Sequence, residues 1–189
     1  IEEKYQAQNG EVTALENISF SMDKGEFMSI VGPSGCGKST LLSILAGLLK
    51  PTAGAVYVKG EKVEGISGHI GYMLQKDSLL DWRTIYSNVL FGLEVRHMLT
   101  QETVDRAVQL LKTYGLYEFK DKYPAQLSGG MRQRAMVAMG ISAGARIIFA
   151  DEPTKGLDPF FKTILADILK KLQQQGVTIC MVSHDIEFC

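Results

Sequence analysis

The sequence lacks a charge excess of either sign, a long apolar run and a cysteine framework. Its 20 basic and 21 acidic residues give a formal net charge of -1, so no strongly basic surface for nucleic acid is implied. No apolar run approaches the roughly 20 residues that a membrane-spanning helix needs. The three cysteines, Cys36, Cys180 and Cys189, show no metal or disulfide spacing, and we expect free thiols. The composition therefore favours a cytoplasmic protein.

At 189 residues, with 46% hydrophobic residues, the chain is long enough for one globular domain with a full core. There is no internal repeat and no low-complexity segment. The sequence stops just after an apolar strand pattern, at residues 177–182, and we expect the C-terminal end of the domain to be missing.

One stretch, residues 32–40, reads GPSGCGKST and fits the phosphate-binding pattern G-x-x-x-x-G-K-[ST]. A short β-capable run precedes it and a run with helical spacing follows, which argues against a chance glycine turn. Glycines let such a loop curl so that backbone N–H groups point at phosphate oxygens beside a helix N-terminus. We expect Lys38 to reach the β- and γ-phosphates and Ser39 to bind Mg²⁺. The predicted phosphate-binding residues are Gly32, Pro33, Ser34, Gly35, Cys36, Gly37, Lys38, Ser39 and Thr40.

A pair of carboxylates follows the buried-strand pattern at residues 147–150. Parallel α/β sheets bring active residues to the carboxyl ends of their strands, so Asp151 and Glu152 can share the metal and water of the P-loop. We predict that Asp151 holds Mg²⁺ and that Glu152 is the general base. Without the P-loop, an ordinary acidic loop would be the simpler interpretation.

Two further strand patterns end in polar residues. Gln75 follows one of them, and its amide could bind Mg²⁺ or orient a water, although a lone Gln is usually a plain loop residue. His184 follows another, where it could sense the γ-phosphate, although a lone His is more often structural. Tyr5 begins a hairpin pattern, and from this segment alone strand packing is favoured over stacking on a base.

The pattern between residues 77 and 140 is helical, with Thr100 as an expected N-cap. We expect Trp82, which lies among Leu and Ile residues, to be in the core; an exposed apolar patch suiting a partner protein is the alternative. Ser128 precedes two glycines, Gly129 and Gly130, at a helix start, and it could simply cap that helix. Glycines are unfavourable there unless something approaches the backbone closely, and a phosphate fits that need.

Residues 158–159, Asp-Pro, are typical of a helix start, with Asp158 as N-cap. Together, GPSGCGKST, Gln75, LSGGM at 127–131, IIFADE at 147–152, GLD at 156–158 and His184 resemble the nucleotide-binding subunit of ATP-binding cassette (ABC) transporters. The motifs stand in that family's order along nearly the whole chain. LSGGM is the most specific of them, because most other P-loop NTPases lack it.

The resemblance implies an α/β fold with a P-loop NTPase core and a mostly parallel sheet. It also implies an N-terminal antiparallel β subdomain and an inserted α-helical subdomain. In this chain, residues 1–76 and 145–189 would form the nucleotide-binding core with the β subdomain, and residues 77–144 the helical subdomain with the signature motif.

By the same resemblance, Tyr5 would stack on adenine, Gln75 would be the Q-loop glutamine and Asp151 the Walker B aspartate. Glu152 would activate water and His184 would be the switch histidine.

In this family two subunits face head to tail, so that each ATP lies between one P-loop and the signature of the other subunit. Here the signature residues are Ser128, Gly129 and Gly130, and Asp158 would lie at the interface.

The implied function is an ATP-hydrolysing subunit that drives a membrane importer of a small solute, with ATP and Mg²⁺ bound. Its partners would be transmembrane permease subunits, a second copy of itself and, indirectly, a solute-binding protein, with no nucleic acid. It would lie peripherally on the inner face of the cell membrane. Residues 71–94 resemble importers of nitrate, sulfonates, taurine or thiamine precursors, whereas ADEPTKGLDP resembles energy-coupling-factor importers. The alternatives are a soluble ABC ATPase acting on ribosomes or DNA, and a non-catalytic P-loop regulator.

Overall fold

The computed structural model describes residues 1–7, 10–73 and 78–184. Two short 3-10 helices, Tyr117–Phe119 and Pro124–Gln126, lie in the helical region. In chain order the other elements are β1 (Glu3–Ala7), β2 (Gly10–Leu15), β3 (Phe27–Val31), α1 (Lys38–Leu45), β4 (Tyr57–Val58), β5 (Glu61–Lys62), β6 (Ile70–Met73), α2 (Ile85–Val95), α3 (Gln101–Thr113), α4 (Gly129–Ser142), β7 (Ile147–Asp151), α5 (Pro159–Gln174) and β8 (Thr178–Ser183).

The central sheet is parallel, with strand order β3-β8-β7-β6. Every residue of β8 is buried, as expected for a parallel strand with helices on both faces. Successive side chains of a strand point to opposite faces of the sheet, so the core consists of two clusters, one on each face. Ile148 and Met181 face the cluster that includes α4 and α5, whereas Phe149 and Val182 face the cluster around α1.

Antiparallel strands make up the remaining sheets. β1 pairs with β2, with Tyr5 opposite Val12, and β4 pairs with β5. The parallel sheet, the antiparallel strands and the flanking helices confirm the predicted α/β fold class. The division of the chain into subdomains after residues 76 and 144 stays a prediction.

The helical region begins at capped helix ends. The Thr84 side chain caps α2, and Thr100 caps α3 as predicted, in a reciprocal arrangement with Thr103. The prediction that Trp82 lies in the core was wrong, because its side chain is 75% exposed. Its apolar neighbours Leu79 and Ile85 fill the core instead. None of the helices in the described ranges is long and apolar enough to cross a membrane.

Arg96 ties the end of α2 to two other segments. Its Nη1 donates hydrogen bonds to the Ala143 carbonyl at 2.5 Å and to the Gly68 carbonyl at 3.1 Å. Ala143 is the C-cap of α4, so the guanidinium meets the negative end of that helix. The same side chain therefore joins the C-terminus of α4 to the loop that precedes β6.

Candidate nucleotide site

The P-loop joins the end of β3 to the start of α1 at the carboxyl edge of the parallel sheet. Gly35 has φ +81° and Gly37 has φ +93°, a region that L-residues with a side chain rarely adopt. Gly37 is also the N-cap of α1, and a Cβ there would lie 2.5 Å from the Ala14 carbonyl oxygen of β2. Glycine is therefore required at Gly37 because of its positive φ and because a Cβ would not fit. The first N–H groups of α1, which have no partner within the helix, lie at the end of the loop.

The Lys38 side chain lies inside the loop that precedes it. Its Nζ donates to the Gly32 carbonyl at 2.6 Å and to the Pro33 carbonyl at 2.8 Å, and lies 3.8 Å from Cys36 Sγ. Lys38 is buried, whereas Cys36 is exposed. The loop thus encircles an ammonium group, which is the charge that a phosphate chain requires.

Asp151 and Glu152 lie buried at the end of β7. Burial raises the pKa of Asp151, a hydrogen bond with Ser39 lowers it, and the charge of Glu152 raises it. The Ser39 hydroxyl and the Asp151 carboxylate are therefore neighbours, as the sequence predicted for a shared metal. Asp151 Oδ1 is buried and has no hydrogen-bond partner within the described residues. An orphaned carboxylate oxygen beside a hydroxyl is a donor set that suits Mg²⁺.

Glu152 has the left-handed backbone conformation, φ +50°, which is strained for a residue with a side chain. Its Oε2 lies 2.6 Å from His184 Nδ1 and accepts a longer bond, 3.4 Å, from the His184 backbone N–H. Glu152 is 7% exposed while His184 is exposed. The structure therefore brings together the residue after β7 and the residue after β8, which are 32 positions apart.

Tyr5 reaches the same edge from β1. Its hydroxyl lies 3.5 Å from Thr40 Oγ1, at the first turn of α1, and the side chain is 42% exposed. An exposed aromatic ring next to the phosphate loop is consistent with the predicted adenine contact. Gln75, also predicted for this edge, lies outside the described residues.

Ser128 of the signature and Asp158 each make a capping hydrogen bond within their own helix. Ser128 is the N-cap of α4, and its Oγ accepts a hydrogen bond from the Met131 N–H at 3.3 Å. Asp158 is the N-cap of α5 and accepts from the Phe161 N–H at 3.1 Å. Ser128 is exposed, so its hydroxyl is accessible to a ligand presented from outside the chain, whereas Gly129 is half-buried and Gly130 is buried.

Sequence reasoning missed Tyr72. Its hydroxyl lies 3.4 Å from Ser43 Oγ, which in turn donates to the Ser39 carbonyl at 2.8 Å. Burial raises the pKa of the phenol, the Ser43 hydrogen bond lowers it, and the charge of Asp151 raises it. The i, i+4 spacing of Ser39 and Ser43 was the available signal, but nothing in the sequence placed β6 beside them.

The family model of the ABC transporters matches residues 15–155. The chain belongs to the ABC transporter family. It is 43% identical over 175 residues to YtlC, an ABC transporter ATP-binding protein of Bacillus subtilis (strain 168), covering 92% of this chain and 67% of that protein. It is 37% identical over 182 residues to the taurine import ATP-binding protein TauB of Escherichia coli (strain K12), covering 96% and 71%.

Among solved structures, the ABC cassette MJ0796, as a dimer in a post-hydrolysis state bound to ADP and Pi, matches with a TM-score of 0.87. The identity is 34%, covering 100% of this chain and 87% of that chain. The family predicted from the motifs is thus confirmed, and this ABC protein is an ATP-binding, ATP-hydrolysing transporter subunit. The individual roles assigned to the site residues stay predictions.

Proposed function

We propose that this ABC ATPase drives a membrane importer of a small solute, with its ATP held between two copies of the chain. The observation that carries the proposal is the meeting, at one sheet edge, of a lysine-filled P-loop with the buried Asp151–Glu152 pair. Support for import comes from the similarity to TauB, whose name describes a taurine import protein.

Nucleotide binding follows from the loop. Residues 32–40, apart from Pro33, which has no backbone N–H, would present N–H groups to the phosphates. Lys38 would exchange its two carbonyl acceptors for phosphate oxygens. Tyr5 stacks on the adenine. Mg²⁺, held by Ser39 and Asp151, and by Gln75 on sequence grounds, would supply charge neutralisation of the phosphates.

Hydrolysis uses Glu152 as the base that accepts a proton from the attacking water. The 2.6 Å contact with His184 Nδ1 orients the carboxylate, and the strained backbone of Glu152 is held by its N–H bond to the Val182 carbonyl at 3.0 Å. His184 would respond to the γ-phosphate through this contact with Glu152.

The test is Glu152→Gln, which keeps size and hydrogen bonding but removes the base. Hydrolysis should fall by about 10² to 10⁴, the usual contribution of a general base, while ATP still binds. The closed dimer should then accumulate in size-exclusion chromatography with light scattering. The control is Glu118→Gln, which changes an exposed carboxylate of the helical region. Normal hydrolysis by Glu152→Gln would remove Glu152 from this role.

The start of α4, with Ser128 exposed at its N-cap, would complete the site of a second copy. Ser128, Gly129 and Gly130 would bind the γ-phosphate of ATP held by the partner's P-loop, in a head-to-tail arrangement, with Asp158 at the interface. A dimer is supported by the dimeric MJ0796 cassette. Removing the Ser128 hydroxyl by Ser128→Ala should therefore weaken ATP-dependent dimerisation more than ATP binding.

The permease would bind an aromatic surface of the helical region, defined by Trp82, Phe119 and Tyr123. These side chains are 75%, 39% and 46% exposed. Their two loops are hydrogen-bonded neighbours, because the Ile85 N–H donates to the Lys122 carbonyl at 2.8 Å. Large exposed apolar patches mark protein interaction sites, and these three rings would supply one. A solute-binding protein would act only through the permease, and the chain would lie on the inner face of the membrane.

Co-purification tests this surface. With a hydrophobic permease encoded beside it, the chain should be recovered as a complex, and Trp82→Ala should lower that recovery. Tyr57→Ala, which removes another exposed aromatic ring, is the matched control. Equal recovery with both variants would rule out the aromatic surface, and ribosome or DNA binding without a permease would rule out the transport proposal.

A further inference from the structure

The second glycine of the signature lies directly against an aromatic ring of the same chain. A Cβ built on Gly130 would lie 2.6 Å from Cγ and 2.7 Å from Cδ1 of Phe161. Distances this short exclude any side chain at Gly130 unless the ring moves. The glycine therefore has a packing requirement within its own subunit, separate from the approach of a phosphate.

The first signature glycine lies beside the same segment. A Cβ on Gly129 would lie 3.7 Å from Leu157 Cδ2, an ordinary van der Waals distance. Asp158 lies between Leu157 and Phe161 and is hydrogen-bonded to the Phe161 N–H. Residues 157–161, from the end of the GLD motif into α5, thus form the supporting segment against which the signature loop, residues 128–130, packs.

Arg134 holds the contact from the α4 side. Its Nε donates to the Gly130 carbonyl at 3.3 Å and its Nη1 to the Tyr114 carbonyl at 2.8 Å. Its guanidinium carbon lies 5.9 Å from the centre of the Phe161 ring, within cation–π range. Ring, glycine and guanidinium therefore restrain one another.

This supporting segment, residues 157–161, is connected to the acidic pair by a short hydrogen-bonded turn. The Lys155 N–H donates to the Glu152 carbonyl at 3.0 Å, and the Leu157 N–H to the Thr154 carbonyl at 3.1 Å. A change at the end of β7 can reach Phe161 through these consecutive turns.

We propose that Phe161 is a positioning residue that sets the signature loop for the nucleotide bound by the partner copy. It acts through Gly130 and does not touch the nucleotide of its own subunit. The proposal rests on the head-to-tail dimer of the proposed function. It adds a link by which the acidic pair of one ATP site influences the signature that completes the other site.

Phe161→Leu tests the role, because leucine is smaller and leaves a gap beneath Gly130. Binding of a fluorescent ATP analogue to the P-loop should stay within about twofold, whereas kcat should fall by about 10- to 100-fold, since a misplacement of about 1 Å can have that effect. Phe20→Leu, at a ring that is 42% exposed in the segment between β2 and β3, is the matched control and should leave kcat unchanged. Phe160 is unsuitable as a control because its ring packs edge-on against Phe161, with the ring centres 5.5 Å apart. If Phe161→Leu does not fold, Phe161→Met, which conserves more volume, replaces it.

Mixed dimers decide whether Phe161 acts on the partner's site. In each dimer one chain carries Lys38→Ala, so that a single P-loop remains. Where Phe161→Leu is on the Lys38→Ala chain, the remaining ATP faces the altered signature, and hydrolysis and ATP-dependent association should fall. Where it is on the other chain, that ATP faces an intact signature and both should match the dimer that has Lys38→Ala alone.

Equal losses in the two arrangements, or no loss in either, would overturn the proposal and leave Phe161 as ordinary packing. If hydrolysis is too low in all pairs, association by itself decides. A wild-type chain that never dimerises with ATP would instead refute the head-to-tail dimer, so the two failures are distinguishable.

Discussion

Gly37→Ala tests whether the P-loop is held by contact with β2 as well as by glycine's conformational freedom. At Gly37, alanine would need a positive φ, +93°, and its Cβ would lie 2.5 Å from the Ala14 carbonyl oxygen and 2.9 Å from Leu15 Cδ2. Gly35 is the matched control, because its φ is +81° and nothing lies within 4 Å of a built Cβ.

Both substitutions put alanine in a left-handed conformation, but only Gly37→Ala also crowds its neighbours. A left-handed conformation costs an L-residue about 1 to 2 kcal/mol. Overpacking adds about 1 to 3 kcal/mol at Gly37 alone. The reduced chain entropy of the unfolded state on replacing glycine by alanine is the same in both and cancels in the comparison.

The assay is urea unfolding without nucleotide, followed by circular dichroism. Gly37→Ala should lower the free energy of unfolding by about 1 to 3 kcal/mol more than Gly35→Ala, the overpacking share alone. Equal destabilisation would refute the contact with β2 as a determinant of the loop.

Three further predictions concern other parts of the chain. Arg96→Ala removes two hydrogen bonds from a charged side chain to main-chain carbonyls. It should lower the free energy of unfolding in urea by about 1.5 kcal/mol, which is the low end of the range for a hydrogen bond to a charged group. A change of less than about 0.5 kcal/mol would contradict this prediction. In a Cys189→Ser background, a thiol reagent should modify the exposed Cys36 rapidly and the buried Cys180, whose pKa burial raises to about 11, only on unfolding; equal rates would refute the burial argument. Burial raises the pKa of Tyr114 from 10.0 to about 12 in the folded protein. The neutral phenol therefore contributes stability that is fully present below the pKa of the unfolded chain and is lost as the pH rises through the pKa of the folded protein. Tyr114→Phe should flatten the fall in unfolding free energy between about pH 10 and 12, and an unchanged slope would disprove the assignment.

Helix starts and strand ends could be predicted because their signals are local. Thr100, Ser128 and Asp158 are N-caps as expected, since a capping side chain bonds to an N–H only three residues ahead. Asp151 ends β7, one residue beyond the predicted run at 147–150, since a run of apolar residues ending in a carboxylate needs no distant information.

Trp82 shows where local signals fail. Periodicity assigns sides on a helix or strand, but Trp82 lies in the irregular segment before α2, where neighbours in sequence need not share a face. Leu79 and Ile85 are buried, and the tryptophan between them is exposed. Contacts from distant segments, such as the Ile85 N–H bond to the Lys122 carbonyl, decide which of these side chains enter the core.

By itself, the sequence determined the P-loop, the acidic pair and the signature, because each is a short motif whose spacing specifies its own backbone. The tertiary structure alone decided that His184 contacts Glu152, that Tyr72 lies near Ser39 through Ser43, and that Phe161 lies under Gly130. These pairs are 29 to 32 residues apart or lie on different helices. Strand order and helix packing bring such residues together, and neither is written in the spacing of any one motif.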